Sequence, residues 1–148
     1  MKVTILSLVI VLISFVGSHA QTTEADRDAI KAAALDYIEG WYEGNAERME
    51  RALHPDLAKR IVRSNDRGQF MLGQMSAMSL VQGVKAGGGK NTPKEKQMKD
   101  VTILDVFGNA ASAKVVASDW VDYLHLAKWQ GRWVIVNVLW EMKPQPKQ

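Results

Sequence analysis

The sequence predicts an α+β fold, with helices in its first half and antiparallel strands in its last third. Three observations predict it. Residues 23–43 repeat apolar side chains at helical spacing, residues 101–117 form two alternating runs about Gly108-Asn109, and residues 119–142 form two more about Gln130-Gly131. Two-residue turns of this kind join neighbouring antiparallel strands. Helices first and strands afterwards give segregated layers, not a wound parallel sheet. There is no internal repeat, and 148 residues suffice for one domain with a sizeable core.

Met1–Ala20 reads as a targeting segment. Lys2 supplies a positive start, Val3–Val16 is nearly all apolar, and Gly17-Ser18-His19-Ala20 puts small residues at the −3 and −1 positions of a cleavage site. The run is short for a bilayer span. Cleavage before Gln21 would leave one domain over residues 21–148, periplasmic or secreted, with no membrane attachment; the competing reading is an uncleaved anchor.

Thr23–Glu43 is the clearest helix. Thr23 can cap it with Asp26 three residues on, and Ile30, Ala33, Ala34, Tyr37, Ile38 and Trp41 share a face, with Asp28, Lys31, Asp36 and Glu39 elsewhere. Gly44-Asn45 stops it and caps a short helix over Ala46–Leu53, which Pro55 ends. Leu57–Val62 fits strand or helix, and the Pro-Asp break before it favours a strand. Phe70–Leu72 reads as a short strand. Gln74–Lys85 reads as a third helix with Met75, Met78, Val81 and Val84 on one face, a core-filling pattern.

Ala86–Lys99 reads as a flexible loop. Its Gly87-Gly88-Gly89-Lys90-Asn91 is not a phosphate loop, because Val84 and Asn91 stand where the Walker pattern needs glycine and a hydroxyl residue. Its basic residues lack a stacking aromatic, so it reads as a solvated loop, not a nucleic-acid surface. Net charge is +3, and removing Lys2 leaves 18 basic against 16 acidic residues, which implies no polyanionic partner. With no cysteine, disulfides and thiolate chemistry are excluded. No metal-ligand spacing occurs: His54 and His125 are far apart and no His-x-x-x-His is present. No cofactor motif is evident.

The final hairpin holds four of the five tryptophans, Trp120, Trp129, Trp133 and Trp140. A strict two-residue turn pairs Trp129 with Arg132, Ala127 with Val134, His125 with Val136, Tyr123 with Val138, and Val121 with Trp140, and opposed residues share a face. One face is then Val121, Tyr123, His125, Ala127, Val134, Val136, Val138 and Trp140; the other is Trp120, Asp122, Leu124, Leu126, Trp133, Ile135, Asn137 and Leu139. Both are largely apolar, so both should be covered. A bulge would exchange them, because the strand period is two.

The helix ending Tyr37-Ile38-Glu39-Gly40-Trp41-Tyr42-Glu43-Gly44-Asn45, the short helix running into Leu53-His54-Pro55-Asp56, and the terminal Asp122–Leu126 and Gly131–Trp140 segments resemble the NTF2-like (SnoaL-like) superfamily. Together they look most like its "putative lumazine-binding" branch. The resemblance covers nearly all of residues 21–148. It implies a cone of curved, mainly antiparallel sheet around the N-terminal helices, a pocket at the wide end, and commonly a homodimer. Matching the last turn to ketosteroid isomerases of that superfamily assigns Val136, Val138 and Trp140 to the pocket, sets Tyr123 near an oxyanion-stabilising position, and sets Tyr37 at an oxyanion-binding tyrosine.

The expected pocket is therefore Tyr37, Trp41, His54, Val121, Tyr123, His125, Val136, Val138 and Trp140. The expected dimer surface is Trp120, Leu124, Trp133, Ile135 and Leu139. The first functional expectation is a binding domain for a small flat or aromatic molecule. The second is an isomerase or lyase using Tyr37 and Tyr123 as oxyanion donors and His125 as acid–base group. Lys59-Arg60-Ile61-Val62-Arg63 offers no carboxylate where the ketosteroid isomerases carry their aspartate base, so that reaction does not carry over. The third is a dimeric interaction module.

Overall fold

The structure, a computed structural model, describes residues 23–144. The targeting segment expected at Met1–Ala20 lies outside the described residues. Helix α1 spans Glu24–Glu43. Thr23 Oγ1 accepts from the Asp26 amide at 3.1 Å while the Asp26 carboxylate accepts from the Thr23 amide at 3.4 Å, a reciprocal cap. Gly44 ends the helix at φ +65°, a left-handed conformation that glycine adopts without a Cβ clash. Asn45 then caps α2, Ala46–Ala52, by accepting from the Arg48 amide at 3.1 Å.

The chain turns directly from α2 into strand β1, Leu53–Ser64. Pro55 therefore sits inside an irregular strand, not after a helix: β1 loses its register with its neighbour between Leu53 and Ala58, where a residue without an amide proton does no harm. Strand β2 spans Phe70–Ser76 and α3 spans Ala77–Lys85. The helix expected from Gln74 thus begins three residues later. Ser76 is its cap, accepting from the Ser79 amide, so Gln74 and Met75 remain extended and pair with Arg60 and Lys59. Met78, expected inward, is 69% exposed.

The segment after α3 is ordered by two short 3-10 turns, Gly88–Asn91 and Lys94–Lys96. Gly88 and Gly89 have a packing reason. A Cβ on Gly89 would lie 2.4 Å from Cδ1 of Trp41, so only glycine lets the loop close over that indole. Strands β3 (Asp100–Phe107), β4 (Ala110–Val116), β5 (Trp120–Trp129) and β6 (Arg132–Met142) follow as a meander.

The six strands form one sheet in the order β2-β1-β6-β5-β4-β3. All neighbours are antiparallel except β1 and β6, which run parallel and join the first strand to the last. The sheet wraps the helices as the expected α+β cone. Ile30, Ile38 and Met49 from the helices pack against Leu124, Leu126, Ile135 and Val138, all almost fully buried.

The last hairpin keeps its two-residue turn, with Trp129 opposite Arg132 and Ala127 opposite Val134. Beyond Leu126–Ile135 the register shifts: Val136 is an extra residue on β6, and His125 pairs with Asn137, Tyr123 with Leu139 and Asp122 with Trp140. The bulge corrects the facial assignment. Asp122, Leu124, Leu126, Val138 and Trp140 face the helices, whereas Val121, Tyr123, His125 and Leu139 face outward. The expected dimer surface is corrected with it. Leu124, Trp133 and Ile135 belong to the core, and of that set only Leu139, 51% exposed, lies on the outer face.

Candidate functional site

Inside the cone a cavity of about 350 Å³ opens between α1, α3 and the ends of β1, β5 and β6. Its walls are mostly apolar. Trp41 comes from α1, Trp120 and Trp140 from the adjacent strands, and Met75 and Leu80 close the other side. The rings of Trp41 and Trp120 meet edge to face, with centroids 6.3 Å apart. Tyr42, one residue on in α1, points away from the opening. Its hydroxyl accepts from the Ser118 amide at 2.9 Å and donates to the Met98 carbonyl at 3.0 Å, which fixes the approach to Trp120.

Two charged groups lie beneath these rings. Lys59 is 4% exposed and Asp122 is fully buried. Inward positions on β1 recur as Leu57, Lys59 and Ile61, and on β5 as Asp122, Leu124 and Leu126, so each charge occupies a core position in an apolar row. The Lys59 ammonium donates to Asp122 Oδ1 at 2.5 Å and to the Tyr37 hydroxyl at 2.5 Å. Tyr37 donates in turn to Asp122 Oδ2 at 3.2 Å, and the Trp120 indole N–H donates to the same oxygen at 2.6 Å. A buried carboxylate with a cation and two neutral donors has the partners that burial demands. The ring of Trp140 lies 4.6 Å from the Lys59 nitrogen, a cation–π contact.

Burial pushes the Tyr37 phenol well above its ordinary value, and the neighbouring Asp122 charge adds to the effect, so the hydroxyl stays protonated. Burial also lowers the Lys59 ammonium, against the opposing pull of Asp122. Arg63, Ser79 and Asp119 line the mouth and are exposed. Among the described residues, no group of three or more His, Cys, Asp or Glu side chains is placed to hold a metal ion, and no helix is long and apolar enough to cross a membrane.

A second polar network braces the scaffold. Arg48 of α2 reaches Asp36, Glu39 and Glu43 of α1, and Arg51 joins it on Asp36. At the start of α1, Asp26 accepts from Lys128 at 2.8 Å and from the Trp133 indole at 2.9 Å. Those bonds, the Lys128 one foremost, hold the Asp26 carboxyl well below the usual carboxylate range and tie the helix to the turn end of the last hairpin.

Of the residues expected at the pocket, Tyr37, Trp41 and Trp140 line the cavity. Val138 faces the same way but is wholly buried in the core. Val121, Tyr123 and His125 are corrected to the outer face, where Tyr123 is 48% exposed and the His125 ring meets the Asn137 side chain at 3.2 Å. Val136 is the bulge residue. His54 is corrected too: it stands outside the cavity wall, its ring edge-on to Trp129 at 5.0 Å. Tyr37, Tyr123 and His125 therefore do not converge, and the acid–base trio expected from the sequence is not assembled. Trp120, expected at the dimer surface, is a cavity wall. Lys59 and Asp122 are the groups that the sequence reading missed as a site, although a lysine and an aspartate in register with apolar rows were visible.

The comparisons with known proteins agree with this architecture. Residues 25–141 match the family described as "Putative lumazine-binding". No curated protein matches the chain. Among solved structures, an NTF2-like protein of unknown function from Shewanella baltica superposes with a TM-score of 0.62 at 20% identity, covering 84% of this chain and 99% of its own. One from Methylobacillus flagellatus gives 0.63 at 23% identity, covering 84% and 97%. One from Silicibacter pomeroyi gives 0.62 at 18%, covering 83% and 100%. At these identities the likeness shows the fold alone, an NTF2-like one, while the match over residues 25–141 shows the family: the chain belongs to the family described as "Putative lumazine-binding".

Proposed function

We propose that the protein binds a small flat or aromatic molecule in the cavity above Lys59 and Asp122. The observation that carries this reading is the conjunction of three indoles, Trp41, Trp120 and Trp140, around one opening with a buried ion pair beneath it. Aromatic walls with a few convergent polar groups are what planar ligands require. The volume, about 350 Å³, suits a molecule of one or two fused rings. The family description is consistent with a heteroaromatic ligand. The isomerase reading loses its support, because Tyr123 and His125 lie on the far side of the sheet and the Tyr37 hydroxyl is already engaged with Lys59 and Asp122.

Gly83 offers a clean test. It lines the cavity from α3, and a Cβ there would meet Trp41 at 3.7 Å, an ordinary contact. Gly83→Leu should fill the space and weaken binding of a bicyclic aromatic ketone by tenfold or more in calorimetry. The fold should be kept or stabilised, since leaving glycine inside a helix costs about 0.5–1 kcal/mol. Unchanged affinity in a folded Gly83→Leu protein would sink the reading.

A further inference from the structure

The hydrogen bonds beneath the cavity are unbalanced, and the imbalance bears on ligand chemistry. The Asp122 carboxylate is fully buried and already accepts from Lys59, Tyr37 and Trp120. The Tyr37 hydroxyl accepts from Lys59 and donates to Asp122. Both acceptors are therefore occupied and enclosed. The donors are not exhausted. An ammonium carries three N–H groups, and two of those on Lys59 are used. The third has no oxygen or nitrogen partner among the described residues and faces the ring of Trp140, a weaker acceptor. The indole N–H of Trp140 is the one buried side-chain nitrogen or oxygen without a partner among the described residues. What the site lacks is an acceptor.

Charge narrows the choice further. The Lys59 ammonium is already neutralised by Asp122 at 2.5 Å, so an anionic group brought beside them would add an unbalanced charge among buried apolar walls. A neutral oxygen adds none. The groups at the mouth, Arg63, Ser79 and Asp119, are exposed and carry both signs, so they impose no charge on the outer end of a ligand.

We propose that the buried end of the ligand is a neutral carbonyl oxygen, of a ketone, amide or ring lactam, that accepts a hydrogen bond from the Lys59 ammonium. The proposal rests on the cavity being the binding site. Lys59 is then a binding group in its own right and not only the partner of Asp122. It selects for acceptors, because a ligand presenting only a donor would leave the Lys59 N–H unmet and set its own donor against another. A carbonyl with no competing water should gain about tenfold or more over an isosteric hydrocarbon, since hydrogen bonds to charged groups are the stronger kind.

The test uses the unaltered chain and matched probes of one shape. Acetonaphthone and isopropenylnaphthalene differ by oxygen against methylene, and naphthoate adds a charge. Calorimetric titration should give acetonaphthone the tightest binding, by about tenfold or more over isopropenylnaphthalene. The infrared carbonyl band of the bound ketone should move to lower frequency. Equal affinities of ketone and hydrocarbon would overturn the proposal while leaving the cavity as the binding site. Tighter binding of naphthoate would overturn the choice of a neutral oxygen. Binding of none of the three would overturn both this inference and the reading on which it rests.

Discussion

Asp122 sits at a position where the alternation of β5 demands an apolar side chain, and the fold tolerates it through Lys59, Tyr37 and Trp120. Removing one partner of a buried pair strands the other charge. Asp122→Ala should therefore cost about 3–5 kcal/mol in denaturant unfolding, far more than the loss of one surface ion pair. The double replacement Lys59→Met with Asp122→Leu should recover most of that loss, because it removes both charges and fills the volume. If the double variant is no more stable than Asp122→Ala alone, the pair is not the coupled unit described here. The same double variant should lose its preference for ketone over hydrocarbon, which separates the stabilising role of the pair from its binding role.

The elements that sequence alone made legible are those with a local cause. The reciprocal cap of Thr23 and Asp26, the Gly44 stop and the Gln130-Gly131 turn all depend on residues within a few positions of each other, and all three are where their patterns put them. The bulge at Val136 has no such local mark: Ile135, Val136, Asn137 and Val138 read equally well with or without an extra residue. One unseen residue turned over half a strand, which is why Tyr123 and His125 read as pocket residues and Asp122 did not. The late start of α3 has a similar origin, since Met75 and Met78 fit a helical stripe until Ser76 caps the helix between them. The glycine-rich segment after α3 looked like a free loop because its partner, Trp41, lies more than forty residues away in the sequence. That contact makes a prediction for the element. Gly89→Ala should destabilise the domain by about 1–3 kcal/mol through overpacking against the Trp41 ring and carbonyl, and melting of the purified variant measures it. An unchanged melting temperature would mean that the loop does not hold Trp41 in place.

At the scale of the whole molecule, helical and alternating periods made the α+β class legible, because they survive whatever the tertiary contacts, and the family resemblance implied the cone. The cavity was legible only in part. Tyr37 and Trp140 could be assigned from the resemblance and Trp41 lay on the apolar face of the first helix, but the β1–β6 parallel pairing that brings Lys59 beside Val138, and so within reach of Asp122, links residues about eighty positions apart and leaves no trace in either segment. The resulting molecule divides its five tryptophans cleanly. Trp41, Trp120 and Trp140 surround the cavity, while Trp129 meets His54 edge to face and Trp133 is tied to Asp26 outside it. Indole N–H resonances, followed by heteronuclear NMR while acetonaphthone is titrated, read that division directly. The cavity account predicts saturable shifts at Trp41, Trp120 and Trp140 with Trp129 and Trp133 unmoved; shifts centred on Trp129 and Trp133, or none at all, would contradict it.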